Sequence, residues 1–76
     1  MSEATDHGDE RLIQMANQIA TFFRSQRSER GPAAETADHL TAFWTPDMRN
    51  TFRAMAETEA GARLSEVARD AARLLR

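Results

Sequence analysis

The sequence has no cysteine, which excludes disulfides, cysteine-ligated zinc, iron–sulfur ligation and thiol chemistry from this chain. Its histidines are two, His7 and His39, far apart along the chain and without cysteine support, so no metal site is expected. Glycine is scarce and scattered: Gly8, Gly31 and Gly61 stand alone and cannot form a phosphate-cradling loop. Lysine is absent too, so all ten cations are arginine, set against twelve acids for a formal net charge of −2. The two signs are mixed along the chain, with four Arg and five acids over residues 1–31 and six Arg and five acids over 45–76. No segment has the basic excess of a phosphate-binding surface, and nucleic acid is not expected as a partner. No apolar run approaches the roughly 20 residues of a membrane span. The start, Met1-Ser2-Glu3-Ala4-Thr5-Asp6, is acidic rather than signal-like, which points to a cytoplasmic chain with no membrane partner. No stretch alternates with period two, so no strand is expected.

What remains is helical periodicity in a chain of 76 residues, enough for one small domain with a limited core. Residues 1–8 have no periodicity and read as a disordered N-terminal tail, with residues 9–76 as a single helical domain. From Asp9, Leu12, Ala16, Ile19 and Phe23 recur at steps of four, three and four, the stripe of a 3.6-residue helix over 9–27. Ile13, Met15, Ala20 and Phe22 widen that stripe, and a helix apolar on two sides needs two things to pack against. Ser25 to Gly31 is a polar break, and Pro32 suits the first position of a second helix over 32–44, in which Ala33, Ala37, Leu40 and Trp44 repeat the same step. Thr45-Pro46 stops that helix, because a residue before proline is steered away from helical geometry. Thr45 then caps a third helix over 46–59, which presents Met48, Phe52, Met55 and Ala56. Gly61 ends it, and Ser65 caps a fourth over 65–76. The expected fold is all-α, a bundle of about four helices.

The residues show no constellation for catalysis, cofactor binding or metal binding. Ser25, Ser28 and Ser65 are accounted for by breaks and caps, and Glu57 and Glu59 belong to a solvated helical surface. The helix–break–helix at 32–59 lacks the glycine usual in the turn of a DNA reader, and its second helix exposes acids beside Arg49 and Arg53. The remaining candidate is the aromatic corner His39 to Arg49. Phe43 and Trp44 can plug the corner between helices, or part of the stretch can dock a partner, since Trp, Met and Arg are enriched at interface hot spots. The candidate partner interface is Met15, Phe22, His39, Phe43, Trp44, Pro46, Met48 and Arg49.

Two long segments carry a family resemblance. Met15-Ala16-Asn17-Gln18-Ile19-Ala20-Thr21-Phe22-Phe23 and His39-Leu40-Thr41-Ala42-Phe43-Trp44-Thr45-Pro46-Asp47-Met48-Arg49, in this order and at this spacing, resemble the delta subunit of soluble NAD-dependent formate dehydrogenases. The closing Leu74-Leu75-Arg76 also resembles that family, and the likeness spans about residues 11–76. The chain departs from it after Ser65, where Glu66 stands in place of a frequent proline. The resemblance implies a non-catalytic accessory subunit that stabilises the assembled complex. Its partners would be the large subunits, the alpha subunit foremost. The enzyme so implied oxidises formate at a bis-pterin molybdenum or tungsten cofactor and passes electrons through iron–sulfur clusters to FMN and NAD, none of them held by this chain. Two alternatives use the same apolar faces: an assembly factor that assists cofactor insertion into the alpha subunit, and a self-associating helical module.

Overall fold

The computed structural model describes the backbone of residues 2–75 and the side chains of residues 10–75. Four α-helices follow one another: α1 Ser2–Arg24, α2 Pro32–Phe43, α3 Pro46–Ala56 and α4 Glu66–Leu74. A short 3-10 turn, Glu59–Arg63, joins α3 to α4. No strand is present among the described residues, and none of the helices is long and apolar enough to cross a membrane. The expected all-α bundle is the observed fold.

The boundaries shift for local reasons. The backbone of α1 is helical from Ser2 instead of starting at Asp9. The side chains ahead of Glu10, and all of Met1 and Arg76, lie outside the described residues, so of the disordered tail expected over residues 1–8 only the backbone from Ser2 is described. At its other end α1 stops three residues early. The N–H groups of Ser25 and Gln26 bond the Phe22 and Phe23 carbonyls at 3.2 and 3.0 Å, and the Ser25 hydroxyl donates to the Phe22 carbonyl at 2.8 Å. That tightened turn uses up the last carbonyls and leaves nothing to propagate the helix.

The loop that follows is tied back onto α2, with the Ser28 hydroxyl donating to Glu35 at 2.8 Å and Arg30 paired with Asp38. The Arg30 guanidinium holds the Asp38 carboxyl below its ordinary pKa, chiefly through their hydrogen bond. Gly31 takes φ 93° and ψ 159° immediately before Pro32, a region open in practice to glycine alone.

Thr45 caps α3 as its sequence predicts, its hydroxyl accepting from the Met48 N–H at 3.2 Å with Pro46 first in the helix. The third helix closes at Ala56, short of the expected Glu59, because Thr58 takes over. Its hydroxyl donates to the Met55 carbonyl at 2.7 Å and accepts from the Ala60 N–H at 3.2 Å, which starts the 3-10 turn. Ser65 caps α4 through the Ala68 N–H at 3.2 Å.

The core forms where the four helices meet. Small residues set the spacing: Ala16 on α1 and Ala68 and Ala71 on α4 are fully buried and let the backbones approach closely. Leu40, Phe52 and Met55 fill the remaining volume, and Trp44 meets Phe52 edge to face at 5.5 Å between ring centroids. Thr36 of α2 is also fully buried, and its hydroxyl finds no partner among the described residues.

One polar clamp ties α1 to the chain entering α4 at the edge of this core. The Asn17 amide on α1 donates to the Arg63 carbonyl at 3.1 Å and accepts from the Ser65 N–H at 2.8 Å. It fixes the start of α4 against the middle of α1. Arg63 returns to the same helix by pairing with Glu10.

Candidate partner interface

Four rings run in a row across the end of α1 and one side of α2. Phe22 and Phe23 meet edge to face with centroids 5.1 Å apart. Phe23 then meets His39 at 5.9 Å, and His39 meets Phe43 at 4.7 Å. The last pair follows from helix geometry, since residues four apart share one face. The first arises because consecutive residues Phe22 and Phe23 straddle the edge of the core-facing stripe, with Phe23 half-buried and Phe22 turned outward.

Both ends of the row are open to solvent, Phe22 at 57% and Phe43 at 74% of full exposure. Rings buried by a partner at these two positions would gain on the order of 1.5–3 kcal/mol each from leaving water. Scattered exposed apolar side chains are ordinary, whereas rings in contact with one another and open to solvent at both ends of the row form a surface suited to a partner.

The eight residues expected at the interface divide three ways. Phe22, Phe43 and Pro46 are exposed. Met15, His39, Met48 and Arg49 are half-buried, and the two methionines pack against the core. Trp44 is 6% exposed and faces inward. As the residue after α2, Trp44 has left helical geometry, with φ −91° and ψ 146°, and that turn swings the indole into the core while Phe43 stays on the outer surface.

Arg49 directs its guanidinium to this chain's own backbone, with Nη1 donating to the Thr41 carbonyl at 3.1 Å and the Trp44 carbonyl at 2.6 Å. These are carbonyls at the end of α2, the place where a cation is favoured. Phe23, which the sequence pattern assigns to the core stripe of the first helix, is the ring that joins Phe22 to His39. Only the adjacency of two phenylalanines at the edge of that stripe could have signalled it. Among the described residues no three His, Cys, Asp or Glu side chains come together as a metal-binding group.

Fold and surface together define a class: small all-α chains that carry exposed aromatic side chains on one face. The comparison with families of known proteins makes this specific. Residues 11–72 match the model of the NADH-dependent formate dehydrogenase delta subunit, FdsD. The match takes in most of the 76 residues, and the chain belongs to this family. No curated protein and no solved structure matches significantly.

Proposed function

We propose that this chain is the non-catalytic delta subunit of an NADH-dependent formate dehydrogenase, and that it stabilises the assembled enzyme in the cytoplasm. Membership of the delta-subunit family supports the association. The observation that carries the docking mode is the row Phe22, Phe23, His39 and Phe43, open at both ends. On this reading a large subunit, the alpha subunit foremost, covers the row with apolar side chains, and Pro46 extends the contact beyond the corner.

The molybdenum or tungsten cofactor, iron–sulfur clusters, FMN and NAD belong to the other subunits. The donors in this chain do not fit a metal or cluster, since it has no cysteine and no grouping of His, Asp and Glu among the described residues.

Tagged chain expressed in its native cells provides the test. The eluate is assayed for subunit stoichiometry and for formate-dependent reduction of NAD. Equal amounts of the large subunits, with activity, are the expected result. Recovery with a cofactor-free alpha subunit alone would make the chain an assembly factor. Recovery of no dehydrogenase subunit would overturn the proposal.

A further inference from the structure

A second surface feature lies between α3 and α4, away from the aromatic row. There the helices leave a cleft of about 570 Å³ lined by Asn50, Arg53 and Glu57 on one side and by Arg69 and Arg73 on the other. Its lining also includes Ala54, Ala56 and Ala72, small side chains that let another backbone come close. Three guanidiniums thus face one carboxylate, in a chain whose overall charge is −2.

These cations are poorly neutralised by their own chain. Arg53 and Arg69 make no side-chain hydrogen bond or ion pair among the described residues. Arg69 is the more telling, because its Nε is buried without a partner. A buried unpaired donor on a cation costs free energy, and native structures retain one where something else compensates. Of the three, only Arg73 makes an ion pair among the described residues, with Asp70 at 3.3 Å, and both groups are well exposed to solvent, where such a pair contributes little.

We propose that this cleft is a second docking site, and that it takes an acidic segment of the partner polypeptide. The proposal rests on the reading of the chain as a subunit. Arginine on two helices presents planar forks to which carboxylates bind in pairs of hydrogen bonds. Two further features favour a polypeptide over a free anion. Glu57 stands in the same lining, where it would repel a bare phosphate and would be placed to accept from a backbone N–H of a bound segment. Along the rim a second hollow, lined by Arg53, Arg73, Leu74 and Leu75, adds an apolar foothold, with Leu74 at 53% exposure. An acidic side chain on the guanidiniums, a main-chain N–H on Glu57 and an apolar side chain on Leu74 would satisfy the whole surface at once.

The site is tested in the assembled enzyme and in the full chain alone. In the enzyme, association of wild type is compared with Arg53→Gln/Arg73→Gln, which alters two exposed side chains and spares the half-buried Arg69. The variant should bind about tenfold or more weakly at low salt and lose most of the salt dependence that wild type shows. Unchanged affinity and an unchanged salt slope would overturn the site while leaving the subunit reading intact. In the full chain, arginine side-chain resonances are followed while a glutamate-rich peptide containing one leucine is added, and separately inorganic phosphate. Movement of the Arg53, Arg69 and Arg73 signals with the peptide, well below the phosphate concentration needed for the same shift, supports the site. Phosphate acting as well as the peptide, or pairing of the chain with its own copy through this cleft, overturns it. Wild-type chain that fails to associate with the dehydrogenase at all counts against the subunit reading, and the peptide titration then judges the cleft by itself.

Discussion

Asn17 and Ser65 stand 48 positions apart and are joined by a 2.8 Å hydrogen bond from the Ser65 N–H to the Asn17 amide oxygen. The same amide donates to the Arg63 carbonyl, so one side chain of α1 reads the backbone on both sides of Leu64. The two backbone groups lie at the last residue of the 3-10 turn and at the residue that caps α4, where neither helix's own ladder satisfies them. Replacing Asn17 by alanine leaves the Ser65 N–H, which is half-buried, without its acceptor. Asn17→Ala should therefore lower stability by about 1–3 kcal/mol, measured as a shift in the urea midpoint at constant slope. A change under about 0.5 kcal/mol would mean that water replaces the amide at no cost.

Arg49 supports the fold in a comparable way, by holding the end of α2 from α3. The sequence expectation gave this residue to the partner. Its contacts with the Thr41 and Trp44 carbonyls instead predict that Arg49→Ala costs the isolated chain about 1–2 kcal/mol. Arg49→Lys should recover only part of that, because one ammonium does not reproduce a guanidinium fork. Thermal melting of the two variants beside wild type decides it. Melting unchanged in Arg49→Ala, with association lost, would return the residue to the interface.

Thr36 should respond in the opposite direction. Its side chain is fully buried in α2 and its hydroxyl is unpaired. Valine has nearly the same shape and carries a methyl group where the hydroxyl was. Thr36→Val should stabilise the chain by about 1 kcal/mol, since the desolvation cost of an unsatisfied hydroxyl disappears. Destabilisation on chemical denaturation would show that the hydroxyl does find a partner in solution.

Gly61 is a position where any side chain is excluded. A Cβ added there would lie 2.2 Å from the Ala56 carbonyl oxygen and 2.8 Å from its carbon, both of them backbone atoms that cannot swing aside. The end of α3 and the 3-10 turn approach each other through this gap. Gly61→Ala should cost about 1–3 kcal/mol through the forced backbone shift, although alanine is otherwise the better helix former. Amide exchange would locate the damage, with protection lost first over residues 56–64. Equal stability of the variant and wild type would show that the turn yields freely.

Which parts of this structure were legible in the sequence follows from what each depends on. The apolar steps Leu12, Ala16, Ile19 and the break Thr45-Pro46 are local, so the order of the four helices and the cap of α3 could be read directly. The clamp of Asn17 and the guanidinium of Arg49 reach backbone groups, and backbone groups leave no mark on a residue pattern. Neither contact has a period to detect. Phe43 and Trp44 show the same limit within one pair of neighbours. Both are large aromatics, and which one faces inward depends on the chain leaving helical geometry between them. The aromatic row combines the two cases: its His39–Phe43 half is a helical repeat, while its Phe23–His39 half needs α1 and α2 already packed.

That row gives the prediction on which the function turns. Phe22 and Phe43 contribute little to the core because each is more than half exposed. Phe22→Ala and Phe43→Ala should each change the stability of the isolated chain by no more than about 0.5 kcal/mol, the range usual for surface positions. In the enzyme the same changes should be severe. Buried aromatic anchors are worth about 2 kcal/mol or more at an interface, close to a thirtyfold loss of association for each. Because the two rings close opposite ends of one row, the loss in the double variant should fall short of the sum of the single losses if the partner covers the row as a unit. Co-purification with the large subunits across wild type, the two single variants and the double variant measures this. Full association of the double variant would place the docking surface elsewhere on the chain. Loss of association with an unchanged melting temperature would locate it at these rings.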